Sequence, residues 1–163
     1  MAAIRQLDTE RLYLRGLLPT DIAFIRELIA HEEVRRFLGG PIPSARHEAV
    51  LSGYFMVEGG EMVWLAETKD SSQPLGLISI SHHTDGFDDE LSYQFHPDAW
   101  GRGYAAEAAG RVLEHALKDL QFDRLIAETQ SANSASRRLL ERIGMREMKR
   151  LHRFGAEQIV YVS

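Results

Sequence analysis

Glu10 to Leu17 alternates apolar and polar positions, Leu12 and Leu14 against Arg11, Tyr13 and Arg15, and so reads as a first strand. Ile22, Ile25, Leu28 and Ile29 then recur at helical spacing, behind Thr20 and Asp21, either of which can cap a helix. Gly39-Gly40-Pro41-Ile42-Pro43 breaks the chain. Ser44 is placed to cap a second helix running to about Val57, with Val50, Leu51 and Tyr54 inward. Met62 to Glu67, Leu75 to Ser81 and Glu90 to Phe95 follow as three strands of an antiparallel meander, separated by the turn compositions Asp70 to Pro74 and Asp85-Gly86.

The period changes after Phe95. Ala105, Ala109, Val112, Leu113, Ala116 and Leu120 keep helical spacing, and Arg124 to Thr129 reads as a short buried strand. A helix from about Ser134 to Ile143 ends at Gly144, a residue suited to a left-handed C-cap. Met145 to Arg153 and Glu157 to Val162, joined through Gly155, make a closing hairpin. These elements predict one α+β domain over residues 1–163 with a central, mostly antiparallel sheet.

Composition narrows the chemistry. A chain of 163 residues with 44% hydrophobic and 26% charged positions has the profile of one soluble globular domain. No apolar run is long enough to span a bilayer, and the expected location is the cytoplasm, with no membrane partner. With no Cys, thiolate zinc sites and thiol nucleophiles are excluded, so any group transfer uses another nucleophile or passes directly from donor to acceptor, the simpler scheme. The formal charge of −5 argues against nucleic acid as a partner, which needs a basic face.

Between the strand ending at Phe95 and the following helix lies Pro97-Asp-Ala-Trp-Gly101-Arg-Gly103-Tyr-Ala-Ala-Glu107. Two glycines let the backbone turn sharply and approach a ligand, and the free N–H groups of the first helical turn make an anion site. A pyrophosphate would sit there on backbone alone. An ordinary strand-to-helix loop is the bland alternative. Gly101 to Ala106 also fits the dinucleotide pattern G-x-G-x-x-A, with Glu128 as a ribose-binding acid, but His96 to Trp100 intervene before the first Gly and the preceding strands are not parallel units.

The chain resembles the GNAT superfamily of N-acetyltransferases, and within it the RimJ/RimL branch that acetylates protein N-termini and other amines. The resemblance is carried by Thr9 to Arg15, Glu90-Leu-Ser-Tyr93, Trp100 to Ala108, and Asn133-Ser-Ala-Ser136 through Met145. It implies a single GNAT-like domain with a splayed mixed sheet flanked by helices, acetyl-coenzyme A as cosubstrate, and no metal. The superfamily pattern Q/R-x-x-G-x-G/A falls on Trp100 to Ala105, with Trp100 in place of Gln or Arg. Phe95, His96, Gly101, Arg102, Gly103, Tyr104, Ala105, Asn133 and Ser136 are thereby expected at the cofactor. Asn133 would hydrogen-bond the cofactor arm, or cap the helix, or do both. Leu140 stands where many relatives carry an acidic Tyr, which leaves Ser136, water or an unprotonated thiolate for the leaving group.

The acceptor would be a primary amine, a protein N-terminus among the candidates, and a homodimer is an open expectation. A backbone N–H of the Glu90 to Phe95 strand would stabilise the oxyanion, as the resemblance implies. Alternation puts Leu91, Tyr93 and Phe95 on one face and Glu90, Ser92 and Gln94 on the other, so Glu90 can face the acceptor and take its proton, or else be a solvated turn residue. His31 to Tyr54 and Phe87 to Glu90 are expected to shape the acceptor pocket. His82, His83 and His96 lack metal-site spacing and are expected at the surface or lining the cleft. Arg137 and Arg138 are read as a solvated pair or as phosphate contacts. The competing function is a catalytically silent acyl-coenzyme A sensor, which would keep Gly101 to Ala105 but lack an acceptor pocket.

Overall fold

The structure is a computed structural model and describes residues 4–56 and 61–163. Eight strands form one sheet in the order β1-β2-β3-β4-β5-β6-β8-β7. They are β1 (Leu7–Asp8), β2 (Leu12–Arg15), β3 (Met62–Thr68), β4 (Pro74–His82), β5 (Asp89–Phe95), β6 (Ile126–Gln130), β7 (Arg146–Arg153) and β8 (Ala156–Val162). Every neighbouring pair is antiparallel except β5 and β6. The expected α+β domain with a mixed, largely antiparallel sheet is what the chain forms.

Helices cover both faces. On one side lie α1 (Ile22–Ala30), α2 (Glu32–Arg35) and α3 (His47–Phe55). Ile25, Leu28, Ile29 and Leu51 pack there on Val63, Leu65 and Leu77. On the other side α4 (Tyr104–Lys118) and α5 (Ser134–Arg142) bring Ala108, Ala109, Val112 and Leu140 onto Trp64, Ile78, Leu91 and Phe95. β3 is buried on both sides, which is why Val63-Trp64-Leu65-Ala66 is an unbroken apolar run. A Cβ on Gly76 would lie 2.5 Å from the Gln94 carbonyl and 2.6 Å from Phe95 Cγ, so a bare backbone there lets the last residues of β5 seat against β4.

Three local expectations are corrected. Asp21 does not cap α1: its carboxylate accepts the Leu18 N–H at 2.7 Å and pairs with Arg15 at 2.9 Å, because a half-buried guanidinium is a stronger partner than a cap that the preceding single helical turn (Pro19–Asp21) makes unnecessary. Ser44 makes no side-chain cap either. It opens a tight turn (Ser44–Arg46), and α3 starts only at His47; the expected end of that helix at Val57 lies outside the described residues. The four-residue helix α2, too short to show a period, went unpredicted.

Candidate active site

β5 and β6 share one ladder position, Glu90 opposite Ile126, and then diverge. The next N–H of β6 that could face β5, that of Glu128, is taken by the Glu90 carboxylate at 3.3 Å, so this side chain braces the fork of the sheet. Past the fork opens a cavity of about 590 Å³, walled by β5, the start of α4, β6 and the first turns of α5, and extending under α2 and α3. Phe95, Gly101, Gly103, Tyr104, Ala105, Asn133 and Ser136 all line it.

The turn into α4 is built by its own sequence. His96 Nδ1 accepts the Asp98 N–H at 3.2 Å and opens the turn Pro97–Ala99, and the Trp100 indole N–H donates back to the Phe95 carbonyl at 2.9 Å. Gly101 (φ 77°) and Gly103 (φ 79°) then take left-handed conformations that other residues adopt only with strain. The first helical donation is from Glu107 N–H to the Gly103 carbonyl at 3.0 Å, so the N–H groups of Tyr104, Ala105 and Ala106 precede it without an intrahelical acceptor. Glu107 pins this turn to β2. Its carboxylate accepts from Thr9 Oγ1 and from Arg11 N at 3.0 Å and Nε at 2.8 Å, while Arg11 reaches the Arg102 carbonyl at 3.0 Å. Burial pushes the Glu107 carboxyl up, but the Thr9 and Arg11 hydrogen bonds outweigh it and hold the group below its usual range. A smaller cavity of about 270 Å³ adjoins Gly103 on the far side, with Arg11 and Arg142 in its wall.

Asn133 caps α5 through Oδ1, which accepts the Ser136 N–H at 3.2 Å, and it also lines the cavity. Both roles expected of Asn133 therefore fit one side chain. Ser136 Oγ lies 2.5 Å from the Tyr93 hydroxyl. Burial drives the Tyr93 phenol up to about 12 against the lowering effect of that hydrogen bond, so it holds its proton at any working pH. Leu140 is 1% exposed and offers no proton.

The remaining expected residues stand elsewhere. His96 Nε2 lies 3.0 Å from Glu27 on the α1 side, and Arg102 is exposed; neither side belongs to the cavity wall. Glu90 sits just behind that wall, next to Leu91 and Ser92, and burial raises its carboxyl above the ordinary range. Glu128, which does line the cavity, is shifted oppositely: burial pushes it up, but hydrogen bonds from Arg153 and His83 prevail and hold it ionised. His83 is buried, not superficial. Its Nδ1 accepts the Asp85 N–H at 3.2 Å, which leaves Nε2 to donate to Glu128 at 3.0 Å. Arg153 completes the group with Nε 3.0 Å from Glu128 and Nη1 2.8 Å from Asp85.

The segments expected to shape an acceptor pocket reach the cavity only in part. Glu33 to Leu38 and Tyr54 line the cavity as expected, whereas Phe87 points outward at 92% exposure. Arg35 Nη1 donates to Gln94 Oε1 at 3.2 Å, and Gln130 Nε2 to the Phe37 carbonyl at 3.3 Å, so the segment after α2 is tied to both arms of the fork. Tyr93 and Glu128 left a signal in the sequence, each a polar group inside an apolar strand face. Arg35 left none. No cluster of His, Asp or Glu among the described residues could hold a metal ion, and no described helix is long and apolar enough to cross a membrane.

A scan of family models matches residues 11–146 to the acetyltransferase (GNAT) domain. Among curated proteins the chain is 33% identical to Bacillus subtilis YkkB over 104 residues, 63% of this chain and 60% of that one, just under two thirds of the relative's length. It is 25% identical to the N-acetyltransferase YoaA of the same organism over 150 residues, 86% of this chain and 82% of the relative. Among solved structures, an acetyltransferase from Agrobacterium tumefaciens superposes with a TM-score of 0.83 at 27% identity, covering 100% of this chain and 96% of its own. The spermidine N-acetyltransferase of Vibrio cholerae, solved with CoA and spermine, shares the fold with a TM-score of 0.78 at 20% identity over 94% of each chain. The forked sheet, the glycine turn entering α4 and the match over most of its length together make this chain a member of the GNAT acetyltransferase family.

Proposed function

We propose that this enzyme moves the acetyl group of acetyl-coenzyme A onto a primary amine by direct attack. One observation carries the reading: a single cavity runs from the turn at Gly101–Ala106, past the fork between β5 and β6, to Glu33–Leu38 of α2 and the segment after it and to Tyr54 of α3. A silent acyl-coenzyme A sensor needs only the first part. The reach of the cavity to Arg35 and Tyr54 supports a transferase. The motifs around Tyr93 and Gly103 that resemble the RimJ/RimL branch favour a protein N-terminus or another small amine, and the amine-bound Vibrio relative of the same fold is consistent with that class. A cytoplasmic setting suits both donor and acceptor.

The residues fit the cosubstrate. Gly101 and Gly103 bring backbone close to where a pyrophosphate would lie, the N–H groups of residues 104 to 106 point to it with the positive end of α4 behind them, and Asn133 keeps its Nδ2 for the pantetheine arm. Bound acetyl-coenzyme A supplies an activated thioester carbonyl. Beyond the fork, those N–H groups of β5 that faced β6 have lost their ladder partners and are donors for a developing oxyanion. Glu90, with its raised affinity for a proton, takes up the ammonium proton through solvent in the cavity. Glu128 is held ionised and is the poorer base; two neighbouring carboxyl groups with affinities pushed apart divide these roles. The Tyr93–Ser136 hydroxyl pair keeps one O–H free to donate a hydrogen bond to the departing thiolate, which leaves without taking a proton from it.

Thiol release from acetyl-coenzyme A in the presence of peptide N-termini, polyamines and aminoglycosides tests the proposal. Amine-dependent release with an acetylated product is the expected result. Binding of coenzyme A with no release on any amine would leave the sensor.

A further inference from the structure

Arg35 is a half-buried cation in the cavity wall, and no carboxylate among the described residues lies within 4 Å of it. Its three hydrogen bonds all go to neutral oxygens: Nε to the Gly40 carbonyl at 3.1 Å, Nη2 to the Leu38 carbonyl at 2.7 Å and Nη1 to Gln94 Oε1 at 3.2 Å. A guanidinium has five N–H donors, so two remain. Because Arg35 only donates, it fixes the Gln94 amide with Oε1 towards itself and Nε2 towards Tyr54, which it reaches at 3.1 Å. The Tyr54 oxygen therefore accepts, and its own O–H is left to donate. Among the described residues, Arg35 and Tyr54 thus present unused donors on either side of Gln94, and the charge of Arg35 has no carboxylate paired with it. Burial lowers the proton affinity of Arg35 and raises that of Tyr54, as expected for groups whose charged forms lack a partner; Glu61 is near enough to Tyr54 to raise it further but makes no ion pair with Arg35.

Resting on the acetyltransferase reading, we propose that the acceptor carries a carboxylate, remote from the reacting amine, which docks on Arg35 and the Tyr54 hydroxyl. The separation follows from the strand. Gln94 and Glu90 lie on the same face of β5 four residues apart, about 13 Å at ~3.3 Å per residue. Allowing for the solvent through which Glu90 takes the proton, the acceptor spans on the order of 10 Å, the length of three extended residues. A free α-amino acid reacting at its own α-amine is too short. A short peptide with a free C-terminus fits.

Triglycine and triglycinamide separate the alternatives, measured both as substrates and, by calorimetry, as ligands of the protein saturated with coenzyme A. Wild type is expected to favour the free acid by about tenfold or more, the scale of a hydrogen-bonded charge pair. Arg35→Gln should bring that ratio close to one, and Tyr54→Phe, which leaves the Arg35 bonds in place, should lower it several-fold. A wild-type ratio near one overturns the proposal. So does an Arg35→Gln variant that weakens acid and amide equally, which would make Arg35 a latch for the loop alone; if that variant does not fold, an undiminished ratio in Tyr54→Phe overturns it instead. Preference for the acid in binding with no acetylation of either peptide would uphold the carboxylate site and sink the transferase reading.

Discussion

The half of the cleft at α4 offers its ligand main-chain N–H groups from one short stretch, Gly101 to Ala106, helped by a single amide at Asn133. The half beneath α2 and α3 is walled by side chains from distant parts of the chain: Arg35, Tyr54, Gln94 and Glu128, the last steadied by His83 and Arg153. Backbone donors carry no charge to be compensated and need only the right dihedral angles, so one local pattern suffices. A charged wall draws its partners from far away in sequence, as Glu128 does with Arg153 and His83, while Arg35 is left among neutral oxygens. The first half is suited to an invariant ligand and the second to a selected one.

Four substitutions break or sharpen that contrast. Gly103→Asp is expected to have the largest effect. A side chain at this left-handed position strains the turn, and a carboxylate at the N-terminus of α4, where a new Cβ would be 3.6 Å from Arg11, competes with an anionic ligand; coenzyme A affinity should fall out of the range of calorimetry while circular dichroism shows the fold retained. Full affinity in a folded variant would remove the backbone cradle from the mechanism.

Glu128→Gln should act on the other half and on stability. Removing the charge of Glu128 takes from Arg153 and His83 the carboxylate they share and leaves Arg153 with Asp85 alone, with a loss of about 2 kcal/mol in urea unfolding at neutral pH. The Glu128 carboxyl is held below its usual range, so its contribution is present above the unfolded-state value and lost as pH falls through the folded one. Variant and wild type should therefore converge in acid.

Glu90→Gln separates brace from base. A Gln oxygen can still accept the Glu128 N–H, so the fork survives, while turnover should fall by about 10²-fold, the usual scale for a lost general base. The wild-type rate should rise with pH through a limb set above the ordinary carboxylate range, and the variant should lack that limb. Stability should move the other way. A carboxyl whose folded affinity for protons is raised weakens the fold as pH climbs past the unfolded value, so the variant should melt higher than wild type at neutral pH. Wild-type rates across the series would return Glu90 to a purely structural part.

Asn133→Ala is the mildest of the four, weakening coenzyme A by about 1–2 kcal/mol through the loss of Nδ2, and α5 by a similar amount through the loss of its cap. A stability loss with unchanged affinity would assign Asn133 to the cap alone.

The sequence showed what is local. Strand alternation, the Gly101–Gly103 turn and the α4 stripe could each be seen within about fifteen residues, and each took the expected place. Groups that depend on partners across the fold could not. Asp21 looked like a helix cap until Arg15 claimed it, Tyr93 was an inward side chain with no visible partner until Ser136 met it, and the Arg35–Gln94–Tyr54 chain joins three elements that share no motif. His83, read as superficial or cleft-lining, is buried because Glu128 and Arg153 come to it from β6 and β7.

Trp100 has a practical consequence. The chain contains two tryptophans. Trp64 is sealed in the core with its indole N–H on the Arg5 carbonyl, while Trp100 is 48% exposed in the cavity wall beside the glycine turn. Emission from the first should be blue and indifferent to ligands, and emission from the second red and readily quenched. A ligand bound at the glycine turn should therefore change the red emission alone, and a Trp100→Phe variant supplies the blank for that measurement.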